Sequence, residues 1–467
     1  MRVLPRHVPH LLSSRGLSSV KPLWDHQREA ISLVNGQAGS LLDMEMGTGK
    51  TRVALEVLDQ ERRRSAFEKP ALILAPKNVL NVWKAEMERY APALCNFLLE
   101  LPSGGQAMAE ALAERNRGLP FILLLNYEMI PNKWMGYALL KQPAWSVLVC
   151  DESHRLKAPG GATSRRVRAI AGRSDRRLLM TGTPIPHSPL DIYAQMKILD
   201  SKWEPRTVDK FKQRYAHFGD RHIPQRITGW QNLGDLQKRI APYKYSVSLD
   251  QVMDLPAGTT EVVHTILSPS ARKAYDELKE EFVTLIASGE ISTFNVLTRT
   301  LRLQQMTSGT FDIDGERHVI DDGKEEMLRQ IFRSSERPVV VFTRFRADLD
   351  TVHRAAAHVG HESAELSGRA KDLEKWQDAE DQPRVVAVQM QAGGLGVDMT
   401  RADRCIFYNT GYSAGDYWQC RARVRRAGQT RTTQFIHLIA KDTVDEVAYQ
   451  AILDRTNVGA ALMRSMT

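Results

Sequence analysis

The amino-acid sequence predicts an α/β protein built as two parallel-sheet lobes, with helical projections between and around them. Three observations carry this expectation. Short β-branched and leucine-rich runs recur along the chain, one group before about residue 185 and another after about residue 335, and such continuous apolar runs suit strands buried on both faces. Helix-compatible stretches separate the runs, and that alternation marks doubly wound sheets. The 467 residues also exceed what one ordinary core absorbs.

Taken in order, residues 1–18 form a basic arm, with Arg2, Arg6 and Arg15 all preceding the first acid, Asp25; a transit peptide shares this composition. The first lobe spans 19–245, with strands at 71–76, 121–125, 147–151 and 178–181, helices at 79–90 and 107–115, and a helical projection near 190–240. A linker follows at 246–262, overlapping a crossover that runs from 242 to 258. The second lobe spans 263–467, with a helical projection near 268–306 and strands at 339–343, 385–389 and 405–409. Residues 311–323 are acidic and glycine-containing, which suits an exposed turn.

Composition narrows the function classes. Hydrophobic residues at 42% and charged residues at 25% exclude a fibre or a wholly disordered chain. A net charge of +9 favours a polyanionic partner, because basic surfaces release counterions from phosphate backbones. The four cysteines, Cys95, Cys150, Cys405 and Cys420, are scattered, which argues against a disulfide framework or structural zinc. No apolar run approaches the roughly 20 residues needed to span a bilayer, and the start lacks a signal-peptide core. A reducing, aqueous compartment without a membrane partner is therefore expected.

Chemistry concentrates at a few strand ends. Met46-Gly47-Thr48-Gly49-Lys50-Thr51 follows the apolar pair Leu41-Leu42 and opens a helix-compatible stretch, as a phosphate loop does. Gly47, Thr48 and Gly49 let backbone N–H groups curl around phosphate oxygens. Lys50 supplies a point charge, and the Thr51 hydroxyl is suited to magnesium. Met44 stands where the longer form of this pattern has glycine. Asp151-Glu152-Ser153-His154 comes directly after a strand, at the sheet edge where open α/β proteins bind ligands. There Asp151 would hold magnesium and Glu152 would polarise the attacking water for in-line phosphoryl transfer. The basic run Arg165, Arg166, Arg168, Arg173, Arg176 and Arg177 reads equally as added nucleic-acid contacts or as a solvated helix face.

These motifs, in this order, resemble those of the Swi/Snf-like family of superfamily-two helicase-like ATPases, over about residues 20–455. Leu23-Trp24-Asp25-His26-Gln27 resembles the family's adenine-reading segment, with Gln27 on the base edge. Ala75-Pro76-Lys77 and Asn126-Tyr127-Glu128 resemble its strand-contacting loops, and Thr181-Gly182-Thr183-Pro184 its coupling motif. Trp83, in the helix after Lys77, reads as core packing rather than base stacking. Gln389 to Asp398 resembles the family's AGGLGLNL signature, in which Gln389 and Gly393 face nucleic acid, Gly396 faces the nucleotide, and Asp398 could contact ribose or a motif arginine. Gln419 to Gln429 resembles QxxxRxxRxGQ, which makes Arg426 the arginine finger and Arg423 its partner; Arg421 and Arg425 suit a solvated helix. Thr343-Arg344 and Leu366-Ser367-Gly368 resemble loops that hold the tracked strand. Residues 301–309 resemble the branch's LRLRQ segment, and 441–453 its C-terminal bracing helix. The family's RRxK stretch is replaced by Tyr243-Lys244-Tyr245-Ser246.

The resemblance implies two RecA-like lobes, ATP and magnesium as cofactors, and a DNA partner, duplex and read without sequence preference. It further implies an ATP-dependent double-stranded DNA translocase or remodelling motor. A strand-separating DNA or RNA helicase is the first alternative, marked by a wedge hairpin that the sequence does not signal, and a nucleotide-gated clamp without turnover is the second. A compact, monomeric motor core suits the cytoplasm of a bacterium or phage-infected cell, or a eukaryotic nucleus.

Overall fold

The structure is a computed structural model. It describes residues 22–102, 104–115, 120–142, 144–182, 188–219, 227–287, 293–313, 316–377, 383–390, 397–409, 411 and 413–454. Its strands, in chain order, are β1 (Gly39–Met44), β2 (Ala71–Ala75), β3 (Ile122–Asn126), β4 (Trp145–Asp151), β5 (Ser174–Thr181), β6 (Ala216–Phe218), β7 (Ile227–Trp230), β8 (Lys244–Val247), β9 (Gly258–Thr265), β10 (Thr310–Ile313), β11 (Glu316–Val319), β12 (Val339–Thr343), β13 (Ser363–Leu366), β14 (Val385–Gln389), β15 (Arg404–Phe407) and β16 (Thr433–Ala440).

Two six-stranded sheets result, ordered β3-β2-β4-β5-β1-β8 and β13-β14-β12-β15-β16-β9. Every pairing within them is parallel, which makes the expected α/β architecture of two RecA-like lobes the observed one. The two-residue side-chain period of a strand explains the doubled cores. In β2, Leu72 and Leu74 pack on one face, while Ala71, Ile73 and Ala75 pack on the other. In β12, Val340 and Phe342 divide in the same way from Val339 and Val341.

Sequence reading captures only part of this sheet content. β1, β8, β9, β13 and β16 are not among the expected strands, and β8 and β9 reach into the segment expected as linker, 246–262. Both are edge strands, so their half-exposed faces carry polar residues and lack the apolar run that marks a central strand. The projection at 190–240 holds helices Leu190–Leu199, Val208–Tyr215 and Leu233–Ile240, but also the antiparallel pair β6–β7. Helices Pro269–Ala287 and Thr293–Thr307 occupy the second projection. The expected exposed turn at 311–323 is instead largely a hairpin, with β10 pairing antiparallel to β11 from Thr310↔Val319 to Ile313↔Glu316.

Parallel strands place all carboxyl ends of a sheet at one edge. In the first lobe that edge carries the loop after β1, Lys77 after β2, Asn126 at the end of β3 and Asp151 at the end of β4. In the second it carries Arg344 after β12, Ser367 and Gly368 after β13, and Gln389 at the end of β14.

Candidate functional site

A cleft of about 610 Å³ lies between the two edges. Met46, Gly47, residues 49–52, Asp151 and Glu152 line it from the first lobe, with Asp398, Arg423 and Arg426 from the second.

The phosphate loop forms because β1 ends against the helix Lys50–Ser65 with two glycines in the left-handed region, Gly47 and Gly49, each at φ +85°. A side chain at either position would be strained, and a Cβ on Gly49 would stand 2.2 Å from Gln27 Nε2. The loop is pinned from beneath. His26 Nε2 lies 2.8 Å and Gln27 Nε2 3.2 Å from the Thr48 carbonyl oxygen, and the Thr48 hydroxyl donates to the Glu45 carbonyl at 2.7 Å. Gln27 Oε1 accepts from the Trp24 N–H. Each end of the Gln27 amide thus makes a bond within the chain, so in this structure it braces the loop while also lining the cleft. Lys50 is buried and donates to the Met44 carbonyl at 2.7 Å. Thr51 lines the same cleft.

Asp151 closes β4 and is held from three directions. Trp83 Nε1 donates to its Oδ2 at 2.9 Å, the Glu152 N–H to its Oδ1 at 3.0 Å, and the Tyr127 hydroxyl to its carbonyl oxygen at 2.6 Å. Burial, reinforced by the Glu152 charge, pushes its carboxyl up to about 6, against the Trp83 bond and the Lys50 charge. Glu152 sits at φ 49°, ψ 52°. Its Oε2 lies 3.3 Å from His154 Nδ1 and 3.5 Å from the Thr181 hydroxyl, and His154 Nδ1 is 3.1 Å from that hydroxyl. Burial raises the Glu152 carboxyl, but the His154 bond and the Lys50 and Arg423 charges outweigh it and leave the carboxyl below its ordinary value.

The second lobe contributes arginines. Burial, and then neighbouring Arg426, lower the Arg423 guanidinium, while Glu152 and Asp151 across the cleft act in the opposite sense. Arg426 packs over the phosphate loop, its Cβ 3.7 Å from where a Gly47 Cβ would stand. Its Nε is buried, 3.9 Å from Asp398 Oδ2, with no hydrogen-bond partner among the described residues. Of the two contacts left open for Asp398, the structure therefore brings it toward the motif arginine. Asp398 Oδ1 accepts from the Thr400 N–H and hydroxyl.

The residues expected to face nucleic acid divide. Lys77 and Gly368 are exposed, and Gln389 is half-buried at its strand end. Asn126 Oδ1 caps the following turn by accepting from the Met129 N–H. Tyr127 is buried with its hydroxyl on Asp151, so its side chain supports the carboxylate strand and is no surface contact. Ser367 is likewise turned inward, donating to Glu365 and accepting from the Arg369 N–H. Arg344 donates to Gln304, and its N–H to Asn409 Oδ1. Gly182 packs against the phosphate loop, where its Cβ would stand 3.4 Å from the Met44 carbonyl oxygen. Thr183, Gly393 and Gly396 lie outside the described residues. Arg425, expected on a solvated face, is instead bound to Asp250 and the Pro256 carbonyl. Sequence reading gives His154 no role, although its place two residues after Glu152 is a signal.

Comparison with known families decides the identity. The model of the SNF2-related domain matches residues 26–310, and that of the helicase conserved C-terminal domain matches 323–428. The chain belongs to the SNF2-related family. SNF2-related relatives include the mouse (Mus musculus) chromodomain-helicase-DNA-binding protein 1-like, 27% identical over 94% of this chain and 50% of its own length. An uncharacterized ATP-dependent helicase of Mycoplasma pneumoniae is 24% identical, over 91% of this chain and 41% of its own. The chain thus spans half or less of the length of these curated relatives. Among solved structures, the Sulfolobus solfataricus SWI2/SNF2 ATPase core in complex with dsDNA is 20% identical, covering 96% of both chains at a TM-score of 0.45. SNF2-related membership makes this a helicase-like chain of an ATP-dependent family. Among the described residues no helix is long and apolar enough to cross a membrane.

Proposed function

We propose that this chain is an ATP-dependent double-stranded DNA translocase or remodelling motor, coupling ATP hydrolysis to movement along the duplex. The carrying observation is the divided site: Lys50 and the Asp151–Glu152 pair on one lobe face Arg423 and Arg426 on the other. Such a site is complete only when the lobes are together, which is what lets hydrolysis drive their separation.

Lys50 would exchange its Met44 carbonyl for the terminal phosphates. The lowered Glu152 carboxyl, set by His154 and Thr181, is ionised near neutrality and suited to orienting water. Arg426, whose Cβ packs over the phosphate loop and whose Nε makes no hydrogen bond among the described residues, would meet the charge that develops on transfer. The donors fit magnesium: Thr51 offers a hydroxyl and Asp151 a hard carboxylate oxygen, both lining the cleft beside Lys50. Magnesium bound there would neutralise charge on the β- and γ-phosphate oxygens.

The positions proposed to follow DNA lie at or just beyond the carboxyl ends of β2, β3 and β5 in one sheet and of β12, β13 and β14 in the other. Phosphate-directed grip of this kind is sequence-independent and weakens steeply with salt. We place the motor as a monomer in an aqueous compartment. A strand-separating helicase is the second reading, and the β10–β11 hairpin favours it.

The test is magnesium-dependent ATP hydrolysis by wild type and Glu152→Gln, alone and with duplex DNA, single-stranded DNA or RNA, at two salt concentrations. Stimulation chiefly by duplex, with turnover about 10²- to 10⁴-fold lower in the variant, supports the translocase, and triplex displacement then reads movement. Best stimulation by single strands moves the helicase ahead. Equal rates in wild type and variant overturn the motor assignment.

A further inference from the structure

We propose that the segment between the two sheets, 248–256, is a positioning strap for the arginine finger, with Asp250 as its key side chain. This rests on the reading of the chain as an ATPase in which Arg426 meets the transferred phosphate.

The strap begins where β8 pairs with β1, at Met44↔Val247. The Glu45 N–H donates to the Val247 carbonyl at 2.9 Å, so chain leaving the sheet edge starts alongside the phosphate loop. Ser248 and Gln251 form a capping box that sets the short helix Leu249–Val252. Leu249 then holds the first lobe: its N–H donates to Glu45 Oε2 at 2.8 Å, and its Cδ1 lies 3.6 Å from where a Gly47 Cβ would stand. The next residue holds the second lobe, with Asp250 Oδ1 2.6 Å from Arg425 Nη2. Farther along, the Pro256 carbonyl accepts from Arg425 Nε at 3.2 Å.

Consecutive residues of one turn thus grip opposite lobes, and the arginine they grip immediately precedes Arg426 in sequence. Arg425 ends the helix Ala414–Val424 as its cap, so fixing its guanidinium fixes the path of the chain into Arg426. Arg426 in turn packs over Gly47, the same glycine that Leu249 covers. Asp250 touches no reacting atom and acts through Arg425. Its side chain is 65% exposed, against 21% for Arg425, so replacing it leaves the cores intact.

The experiment uses the full chain as wild type, Asp250→Ala, Asp250→Lys, Arg425→Glu and the double variant Asp250→Lys/Arg425→Glu. Asp250→Ala lowers kcat for duplex-stimulated ATP hydrolysis about twofold to fivefold, the range a largely exposed ion pair supports, while KM for ATP stays unchanged. The two charge reversals fall further, and the double variant recovers most of the loss. A wild-type kcat in Asp250→Ala, or a double variant no better than Arg425→Glu alone, overturns the strap. Energy transfer between dyes on the two lobe surfaces tests it without turnover: Asp250→Lys lengthens the distance and the double variant restores it, and a distance unmoved by Asp250→Lys overturns the proposal. An inactive wild type counts against the ATPase reading, while the distance measurement still decides the strap.

Discussion

Replacing Asp151 by asparagine should spare the metal-free protein a loss of stability that the wild type suffers as pH rises toward neutrality. The carboxyl stands at about 6 in the fold against an ordinary 3.8, raised by burial and then by the Glu152 charge. Below 3.8 both folded and unfolded chains hold the proton, and nothing is lost. Between 3.8 and about 6 the unfolded chain releases it first, so stability falls with pH; above about 6 both are ionised and the loss is complete. At 1.36 kcal/mol for each pH unit, the window corresponds to about 3 kcal/mol. An amide in place of the carboxyl does not titrate, so the variant escapes this loss. That amide fits the donors Trp83 and the Glu152 N–H imperfectly, which adds a pH-independent cost of about 1 kcal/mol. Denaturant unfolding in chelator across the window checks the slope: the difference between variant and wild type grows by about 3 kcal/mol and then levels. Parallel curves would refute the reasoning. Trp83→Phe supplies the second arm, because its N–H donates to the ionised Asp151 Oδ2. Removing it deepens the loss above about pH 6 by about 1.5–3 kcal/mol in wild type, and by less in the Asp151→Asn background.

Three further outcomes are expected. Lys324 and Asp445 form a 2.7 Å ion pair, each side chain at most 2% exposed, so Lys324→Met strands a buried charge and costs about 3–5 kcal/mol by denaturant unfolding, while Lys324→Met with Asp445→Leu recovers most of it. Gly49→Ala places a Cβ 2.2 Å from Gln27 Nε2 at φ +85°, and the strain of about 1–2 kcal/mol falls on the phosphate loop; titration with a fluorescent ATP analogue should show binding lost, and wild-type affinity would contradict the geometry. His154→Ala removes the hydrogen bond that lowers the Glu152 carboxyl, so the acidic limb of the kcat profile moves to higher pH; an unmoved limb would separate His154 from Glu152.

How much was legible in the sequence follows from where each residue sits. β2 and β12 lie inside their sheets, buried on both faces, and their unbroken apolar residues announced them. β16 is equally central, but Gln434 and His437 interrupt its apolar run; His437 is buried, with its ring stacked 4.8 Å from Phe407, a partner that only the fold supplies. For the hairpin β10–β11 the only local cue was the dipeptide Asp314-Gly315, and the polar run Glu316-Arg317-His318 after it lacks the apolar alternation that would mark a strand. At the site, Lys50 and the Asp151–Glu152 pair were legible because backbone curvature and strand-end placement are local properties. The Trp83 and Tyr127 bonds to Asp151, and the Asp250–Arg425 pair, are made by packing between distant segments. Nothing adjacent to those residues encodes them.

The two neighbouring carboxyls also show why local conformation and chemistry cannot be separated here. In an extended strand, residues 151 and 152 would point to opposite faces, and one of them would enter the core. Glu152 instead takes the left-handed region at φ 49°, which costs a non-glycine residue about 1–3 kcal/mol. That turn ends β4 and carries the Glu152 side chain out beside His154 and Thr181, while Asp151 remains over Trp83. Burial works on both groups, but Glu152 gains the His154 bond with the Lys50 and Arg423 charges, whereas Asp151 is raised further by the Glu152 charge, so one carboxyl is driven up and its neighbour down. Adjacent groups separated in this way can take different tasks at one pH. The strain at Glu152 is therefore the structural cause of the division of labour proposed for the pair, and a relaxed backbone at 152 would erase it even with both carboxyls present.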